Sequence, residues 1–206
     1  MSAAVIFWTV AGYLLGSIPF GIVITRAMGL GDLRKIGSGN IGATNVLRTG
    51  NKPAALATLL LDTFKGAIAV LLARHFAGEG LAPQLAGLAA FAGHCFPVWL
   101  RFLGGKGVAT FLGTVLALAW PAGLLCCASW LVAAGISRIS SVGALGAAAS
   151  SPVWMLVLGR GDLALLCLAL AAIIFWRHKE NIARLRAGTE PKIGGKPKPE
   201  DTDRPE

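Results

Sequence analysis

Apolar residues in this chain do not alternate with polar ones; they run in long uncharged blocks broken by short polar stretches. A bilayer core about 30 Å thick takes about 20 residues of helix to cross. Windows of that character lie at Ala3 to Thr25, Pro53 to Phe76, Ala82 to Leu100, Val108 to Trp120, Ala122 to Ile136, Val142 to Leu158 and Leu163 to Trp176. The fourth reaches membrane length only by taking in the glycine-rich residues before it, and Pro121 with Gly123 separates it from the fifth. The pattern predicts an all-α, polytopic integral membrane protein of about seven transmembrane helices, with six or eight also compatible with the short windows.

The cations orient these blocks. With seven spans and the N-terminus outside, the cytoplasmic segments hold Arg26, Arg34, Lys35, Arg48 and Lys52, then Arg101 and Lys106, then Arg138, then every cation from Arg177 to Arg204. Of 19 Lys and Arg, only Arg74 and Arg160 fall outside and Lys65 falls within a span. Cationic loops gather on the cytoplasmic side, so the C-terminus is expected there. Composition agrees: 206 residues, 55% hydrophobic and 14% charged, with a mean hydropathy of +0.67, are far from a soluble domain. The net charge of +9 calls for no nucleic acid, because basic loops beside an anionic leaflet account for it.

No basic residue precedes the first apolar run, which is longer than a usual signal core and meets its first cation at Arg26, so a retained helix is expected. Cys95, Cys126, Cys127 and Cys167 show no metal-ligand spacing and read as small apolar fillers; no metal site or cofactor is called for. Residues 1–190 are expected to form a single membrane-embedded domain, and residues 191–206, rich in Pro, Lys, Glu and Asp, a flexible cytoplasmic tail.

Three polar clusters fall on the predicted cytoplasmic face. The first, Gly37-Ser38-Gly39-Asn40-Ile41-Gly42, satisfies the spacing of a dinucleotide fingerprint, with Asp62 about 20 residues on. The context rejects it, since there is no βαβ unit and Asp62 lies in a span. What survives is the chemistry: glycines bare backbone N–H groups to an anion, Ser38, Asn40, Thr44 and Asn45 add neutral hydrogen-bonding groups, and Arg48 adds a fork suited to phosphate. A polar loop with helix caps is the alternative reading. The second cluster, Gly104-Gly105-Lys106-Gly107, resembles half of a nucleotide-binding loop, but Leu100 stands where the first glycine belongs and Gly107 where a Ser or Thr follows the lysine. A glycine turn with a lysine before an apolar helix still makes an anion site, although Lys106 also reads as a lysine reaching for the interface. The third cluster runs from His178 through Asn181 to Glu190.

His94 reads either as a general base or phosphate donor, or as a partner of backbone carbonyls. The His-then-Asp spacing of soluble acyltransferases fails, because Trp99 occupies the acidic position. Asp62 and Lys65 share a helix face inside the second span, as a functional pair or a structural ion pair. Ser140 and Ser141 put hydroxyls on the cytoplasmic face between the fifth and sixth spans.

Taken together, Gly37 to Asn45 with Arg48, Gly93-His94-Cys95-Phe96-Pro97 through Phe102 to Thr110, and His178 to Leu185 with Gly188 and Glu190 resemble the bacterial membrane acyl-phosphate:glycerol-3-phosphate acyltransferases of the PlsY type. The resemblance implies a seven-helix enzyme of the bacterial cytoplasmic (inner) membrane, with its site on the cytoplasmic face. It implies acyl phosphate and glycerol 3-phosphate as substrates, and lysophosphatidic acid and inorganic phosphate as products. Carried across motif by motif, it offers Ser38, Arg48, His94 and Lys106 as catalytic candidates. For binding it offers Ser38, Gly39, Asn40, Gly42, Thr44, Asn45 and Arg48, then Gly104, Gly105, Lys106 and Gly107, then Ser140, Ser141, His178, Asn181 and Glu190.

The physical reading agrees. Two phosphate-bearing substrates account for the cations and glycine loops, acyl phosphate is already activated, and there is no Ser-His-Asp or Cys-His order to supply a nucleophile. Either His94 or the departing phosphate takes the hydroxyl proton; the second makes catalysis substrate-assisted. A membrane transporter of a phosphorylated metabolite is the alternative, and it needs a midplane site, for which only Asp62 and Lys65 are suitable.

Overall fold

The computed structural model describes residues 1–194, so most of the expected tail lies outside the described residues. The described chain is all-helical: α1 (Ala3–Gly16), α2 (Phe20–Ala27), the short α3 (Ala43–Val46), α4 (Lys52–Ala77), α5 (Leu81–Cys95), α6 (Val108–Leu118), α7 (Trp120–Ser137), α8 (Ser140–Val157), α9 (Gly161–Arg177) and α10 (Lys179–Arg186). Chemistry marks their ends. Asn51 caps α4 by accepting from the Ala54 N–H at 2.9 Å, with Pro53 in the first turn, and Gly78 closes the helix in a left-handed conformation. Pro97 stops α5 two residues beyond Cys95, so the third apolar window finishes in a 3-10 turn at Val98–Leu100.

Five helical stretches are long and apolar enough to cross a membrane, and a sixth is reached if α9 and α10, bent by 62° at His178, count as one. Two predicted windows differ in form. The first breaks at Pro19 into α1 and α2. The fourth is an 11-residue helix, α6, about 16 Å long at 1.5 Å per residue. It stops because Ala119 turns the chain (φ −151°, ψ 85°) and Pro121 sits in the first turn of α7. The carbonyls it leaves open are taken by side chains: Arg74 Nη1 donates to Ala117 O at 2.8 Å, and Arg74 Nη2 (3.2 Å) and Arg160 Nη1 (3.4 Å) donate to Leu118 O. Inside α8, Pro152 cannot donate to Ala148 O, and the Ser151 hydroxyl does so instead at 2.8 Å.

α1 packs along α5, α4 against both α5 and α6, α7 along α8 and α8 along α9. Small residues permit the closest approaches: a Cβ at Gly12 or Gly16 would lie 2.4 or 2.0 Å from the backbone oxygens of Ala86 and Ala90 on α5. The main core joins Phe91, Phe111, Val115, Met155, Leu170 and Ile174, with Cys95, Cys126 and Cys167 filling between them as free thiols. Large side chains such as Phe7, Leu124, Leu131, Val132 and Leu165 point outward, the arrangement of a bundle solvated by lipid.

Two glycine-to-alanine changes are expected to move stability in opposite directions. Gly16→Ala forces α1 off a backbone oxygen and should lower stability in detergent by about 1–3 kcal/mol. Gly135→Ala, on α7 with open space around it, should raise stability by about 0.5–1 kcal/mol through helix propensity alone. Thermal unfolding of the two variants checks both signs.

Candidate active site

The site is built around the loop between α5 and α6. Arg101 and Phe102 adopt left-handed conformations (φ 52° and 63°) and fold the chain back onto the end of α5. Gly105 N–H then donates to His94 O at 3.0 Å and Gly104 N–H to Cys95 O at 3.2 Å. From α9, Arg177 donates through Nη2 to Gly104 O (2.8 Å) and through Nε to Gly105 O (3.1 Å). Glycine is required by contact: a Cβ at 104 would meet His94 O at 2.2 Å, and one at 105 would meet His94 Nε2 at 2.1 Å. At Gly107, φ is +79° and the Phe91 ring fills the side-chain space.

For this cluster, sequence reasoning expected free N–H groups at the start of the following helix rather than on every glycine, and the amides divide in that way. The amides of Gly104 and Gly105 are spent on α5. Those from Lys106 to Thr110, at the start of α6, have no backbone acceptor among the described residues. They point from the positive end of the helix dipole, where an anion is favoured.

Lys106 stands beside these amides, half-buried. It donates to Asn181 Oδ1, and Asn181 Nδ2 in turn donates to Glu190 Oε1. Glu190 Oε1 also accepts from Ser141 Oγ at 2.7 Å, and Glu190 Oε2 from Arg184 Nε at 2.7 Å. One carboxylate thus joins the glycine loop, α10 and the start of α8. Burial drives the Lys106 ammonium down to about 8, with Arg184 and Arg177 acting the same way and Glu190 and Glu180 opposing. Burial works to raise the Glu190 carboxyl, but the hydrogen bonds from Asn181, Ser141 and Arg184 outweigh it and hold the group below its ordinary value.

The first cluster folds around Asn45, which is buried. Its Nδ2 donates to Leu33 O and Ile36 O, both at 2.9 Å, and its Oδ1 accepts from Ser38 N–H at 3.2 Å and Ser38 Oγ at 3.5 Å. Asn45 therefore shapes the loop with its whole side chain. Gly39, at φ +66°, makes the turn against Ile36 O, and Gly42 O accepts from the Asn45 and Val46 N–H groups of α3. Asn40 Nδ2 lies beside Gly42. The Arg48 guanidinium lies over Gly37, with no hydrogen bond or ion pair among the described residues. Thr44 Oγ1 lies 3.2 Å from Ser140 Oγ, and Arg34 Nη2 donates to Leu103 O at 3.2 Å, so this loop touches both α8 and the glycine loop.

Two histidines are held by structure. His178, buried at the α9–α10 bend, donates from Nδ1 to Ile174 O at 2.8 Å. His94 is buried against Lys65, whose Nζ lies 2.8 Å from His94 Nδ1 and 2.8 Å from Asp62 Oδ1 and donates to Ile18 O at 3.0 Å. Asp62 Oδ1 lies 3.5 Å from the same His94 Nδ1. With Lys65 paired to that carboxylate as an ammonium, which has only donors, Nδ1 is the acceptor and the neutral ring carries its proton on Nε2, toward Gly105. Lys106, Asn181, Glu190 and Ser141 are brought into one hydrogen-bonded chain. Ser38 and Arg48 have no direct bond to it. Sequence reasoning missed Arg177 and Arg184, which carry no local signal beyond lying in and beside the third motif, and it did not join His94 to Asp62 and Lys65.

Comparison with known proteins places this geometry. The glycerol-3-phosphate acyltransferase family model matches residues 6–188. A glycerol-3-phosphate acyltransferase of Cereibacter sphaeroides is 70% identical over 193 residues, covering 94% of this chain and 91% of that protein. One of Ruegeria pomeroyi is 67% identical over 191 residues, 93% and 94% of the two chains. Among solved structures, PlsY, an integral membrane glycerol 3-phosphate acyltransferase, aligns with a TM-score of 0.88 and 38% identity in its glycerol 3-phosphate form, covering 93% of this chain and 96% of that one. Its lysophosphatidic acid form aligns at 0.87 and 37%. With a match that takes in α1 through α10 and relatives aligned along almost their whole length, this chain belongs to the glycerol-3-phosphate acyltransferase family of integral membrane enzymes.

Proposed function

We propose that this protein transfers an acyl group from acyl phosphate to the 1-position of sn-glycerol 3-phosphate at the cytoplasmic face of the bacterial inner membrane. The products are lysophosphatidic acid and inorganic phosphate, in the first step of membrane phospholipid synthesis. The observation that carries this reading is Lys106, held by Asn181 beside the unpaired amides that open α6. Arg48, with its donors unspent, adds a second phosphate-seeking cation. The relatives are named for the same acceptor, and the two solved relatives are described in glycerol 3-phosphate and lysophosphatidic acid forms.

The reaction needs no enzyme nucleophile and no cofactor. The 1-hydroxyl oxygen attacks the acyl carbonyl carbon and forms the new ester bond. The bond from that carbon to the phosphate oxygen breaks, and its electron pair leaves with phosphate. Lys106 and the α6 amides stabilise the charge that grows on the carbonyl and departing oxygens. The hydroxyl proton passes to the leaving phosphate. His94 is badly placed to take it, because its Nδ1 lone pair is engaged by Lys65 and its Nε2 already carries a proton. Catalysis is then placement and electrostatics assisted by the substrate itself. A transporter would need Asp62 and Lys65 open to a midplane cavity; both are 2% exposed and bonded to each other.

Purified protein should release phosphate from palmitoyl phosphate only when glycerol 3-phosphate is present, with one lysophosphatidic acid formed per phosphate. Arg48→Ala/Lys106→Ala should lose at least about 100-fold in kcat/KM while staying folded, because hydrogen bonds to charged groups are worth about 1.5–3 kcal/mol each. Release that ignores glycerol 3-phosphate would overturn the assignment.

A pH profile tests Lys106 separately. The ammonium is charged below about 8 and neutral above, so kcat/KM should fall as pH rises through that value. Bound phosphate holds the proton on, so kcat should fall only at higher pH. Whatever activity Lys106→Arg retains should lack this basic limb, since a guanidinium stays charged.

A further inference from the structure

The reaction above makes no use of Asp62 and Lys65, two charges buried inside the bundle at 2% exposure each. Desolvating such a pair is costly, and apolar side chains often serve stability equally well. Lys65 Nζ forms an ion pair with Asp62 Oδ1 at 2.8 Å on its own helix, hydrogen-bonds His94 Nδ1 at 2.8 Å on α5, and donates to Ile18 O at 3.0 Å in the break between α1 and α2; Asp62 Oδ1 also lies 3.5 Å from His94 Nδ1. The Phe20 ring closes over the ammonium, its centroid 5.7 Å from Nζ. Of the residues facing this cluster, His94 is the one that reaches onward. Its carbonyl accepts the Gly105 N–H, and its Nε2 lies 2.1 Å from where a Gly105 side chain would begin. Lys106 is the next residue in the chain.

We propose that Asp62 and Lys65 are positioning residues for the transfer reaction: they hold the His94 ring in one tautomer and one orientation, and His94 holds Gly105 so that Lys106 and the amides opening α6 meet the substrate phosphate. The inference rests on the acyl-transfer reading for its kinetic consequences, but the bracing of the loop is a property of the unliganded protein. Asp62 fixes the ammonium, the ammonium takes the Nδ1 lone pair, and the Nε2–H edge packs on a residue that must be glycine. His94 is thereby a brace and not a base. A shift of about 1 Å at Lys106 is of the size that costs about 100-fold in rate when it misplaces a reacting group.

The test uses Asp62→Asn/Lys65→Met, which removes both charges together and leaves no unpaired ion, and His94→Asn, whose amide oxygen replaces Nδ1 as the acceptor for Lys65. Hydrogen–deuterium exchange on the detergent-purified, substrate-free protein reads the loop directly. Steady-state kinetics in each substrate read the consequence. In the double variant, exchange at the Gly104 and Gly105 amides, bonded to Cys95 O and His94 O, should speed by about tenfold or more while α7 and α8 keep theirs, and KM for a phosphate substrate should rise more than kcat falls. His94→Asn should lower kcat/KM chiefly through KM and keep the acid side of the wild-type pH profile. Loss of a general base would instead cost about 10²–10⁴-fold in kcat. A kcat collapse of that size in His94→Asn with KM and loop exchange unchanged would make His94 the base and end the proposal. Unaltered loop exchange and kinetics in the double variant would end it too, as would a uniform rise in exchange with lowered thermal stability, which would make the triad purely structural. If the wild type failed to turn over acyl phosphate, the functional reading would fall while the exchange comparison still judged the brace.

Discussion

An 11-residue helix cannot cross a hydrocarbon core about 30 Å thick, and α6 is such a helix. Backbone groups at the ends of so short an apolar helix need partners that lipid cannot supply, and irregular backbone within a bilayer survives only against protein or a polar cavity. The carbonyl end is closed by Arg74 and Arg160, the two cations that charge counting placed outside. The amide end is left open from Lys106 to Thr110. A helix whose negative end is neutralised by two guanidinium groups and whose positive end is bare has its dipole available for an anion, so the shortness of α6 and the proposed phosphate site have one physical origin.

The loops on the same side of the bundle support that open end. Arg177 pulls the Gly104 and Gly105 carbonyls toward α9, and His94 and Cys95 take their amides toward α5. Four hydrogen bonds thus pin two residues that have no side chains of their own. Glu190 draws Ser141, Asn181 and Arg184 into one place, so that the cation-rich third motif carries its own counter-charge and Lys106 is not repelled from its seat. Asn45 does the corresponding work for the first motif with four contacts.

What could be read from sequence follows from which forces are local. The spans were legible because the bilayer dictates a length of apolar helix that any window reveals. The break at Pro19 was not, and the shortness of the fourth window showed without the contacts that permit it, because a helix stops within a membrane only if distant partners accept its end, and Arg74 and Arg160 lie 43 and 42 residues from the carbonyls they cap. The polar clusters were legible as glycine and cation chemistry. Which amides remain available was not, since that depends on the loop folding back onto His94. Asp62 and Lys65 stood out as a pair and His94 on its own, but Lys65 and His94 are 29 residues apart and meet only when α4 packs on α5.

This arrangement also bears on the proposal that the reaction uses no enzyme nucleophile. An acyl-enzyme would need a base with a lone pair directed at a hydroxyl or thiol. Here His94 points its Nδ1 lone pair at Lys65, His178 donates to a helix carbonyl, and Cys95, Cys126 and Cys167 are packed in the core. Such groups are spent on holding backbone in place. On the proposed reaction that is economical, because an acyl phosphate brings its own leaving group and its own base, and what it lacks is an oriented acceptor and a field for the developing charge. A protein that supplies only those two things must make its loops rigid, and rigid polar loops at a membrane face require the buried ion pairs and carbonyl contacts seen beneath this one.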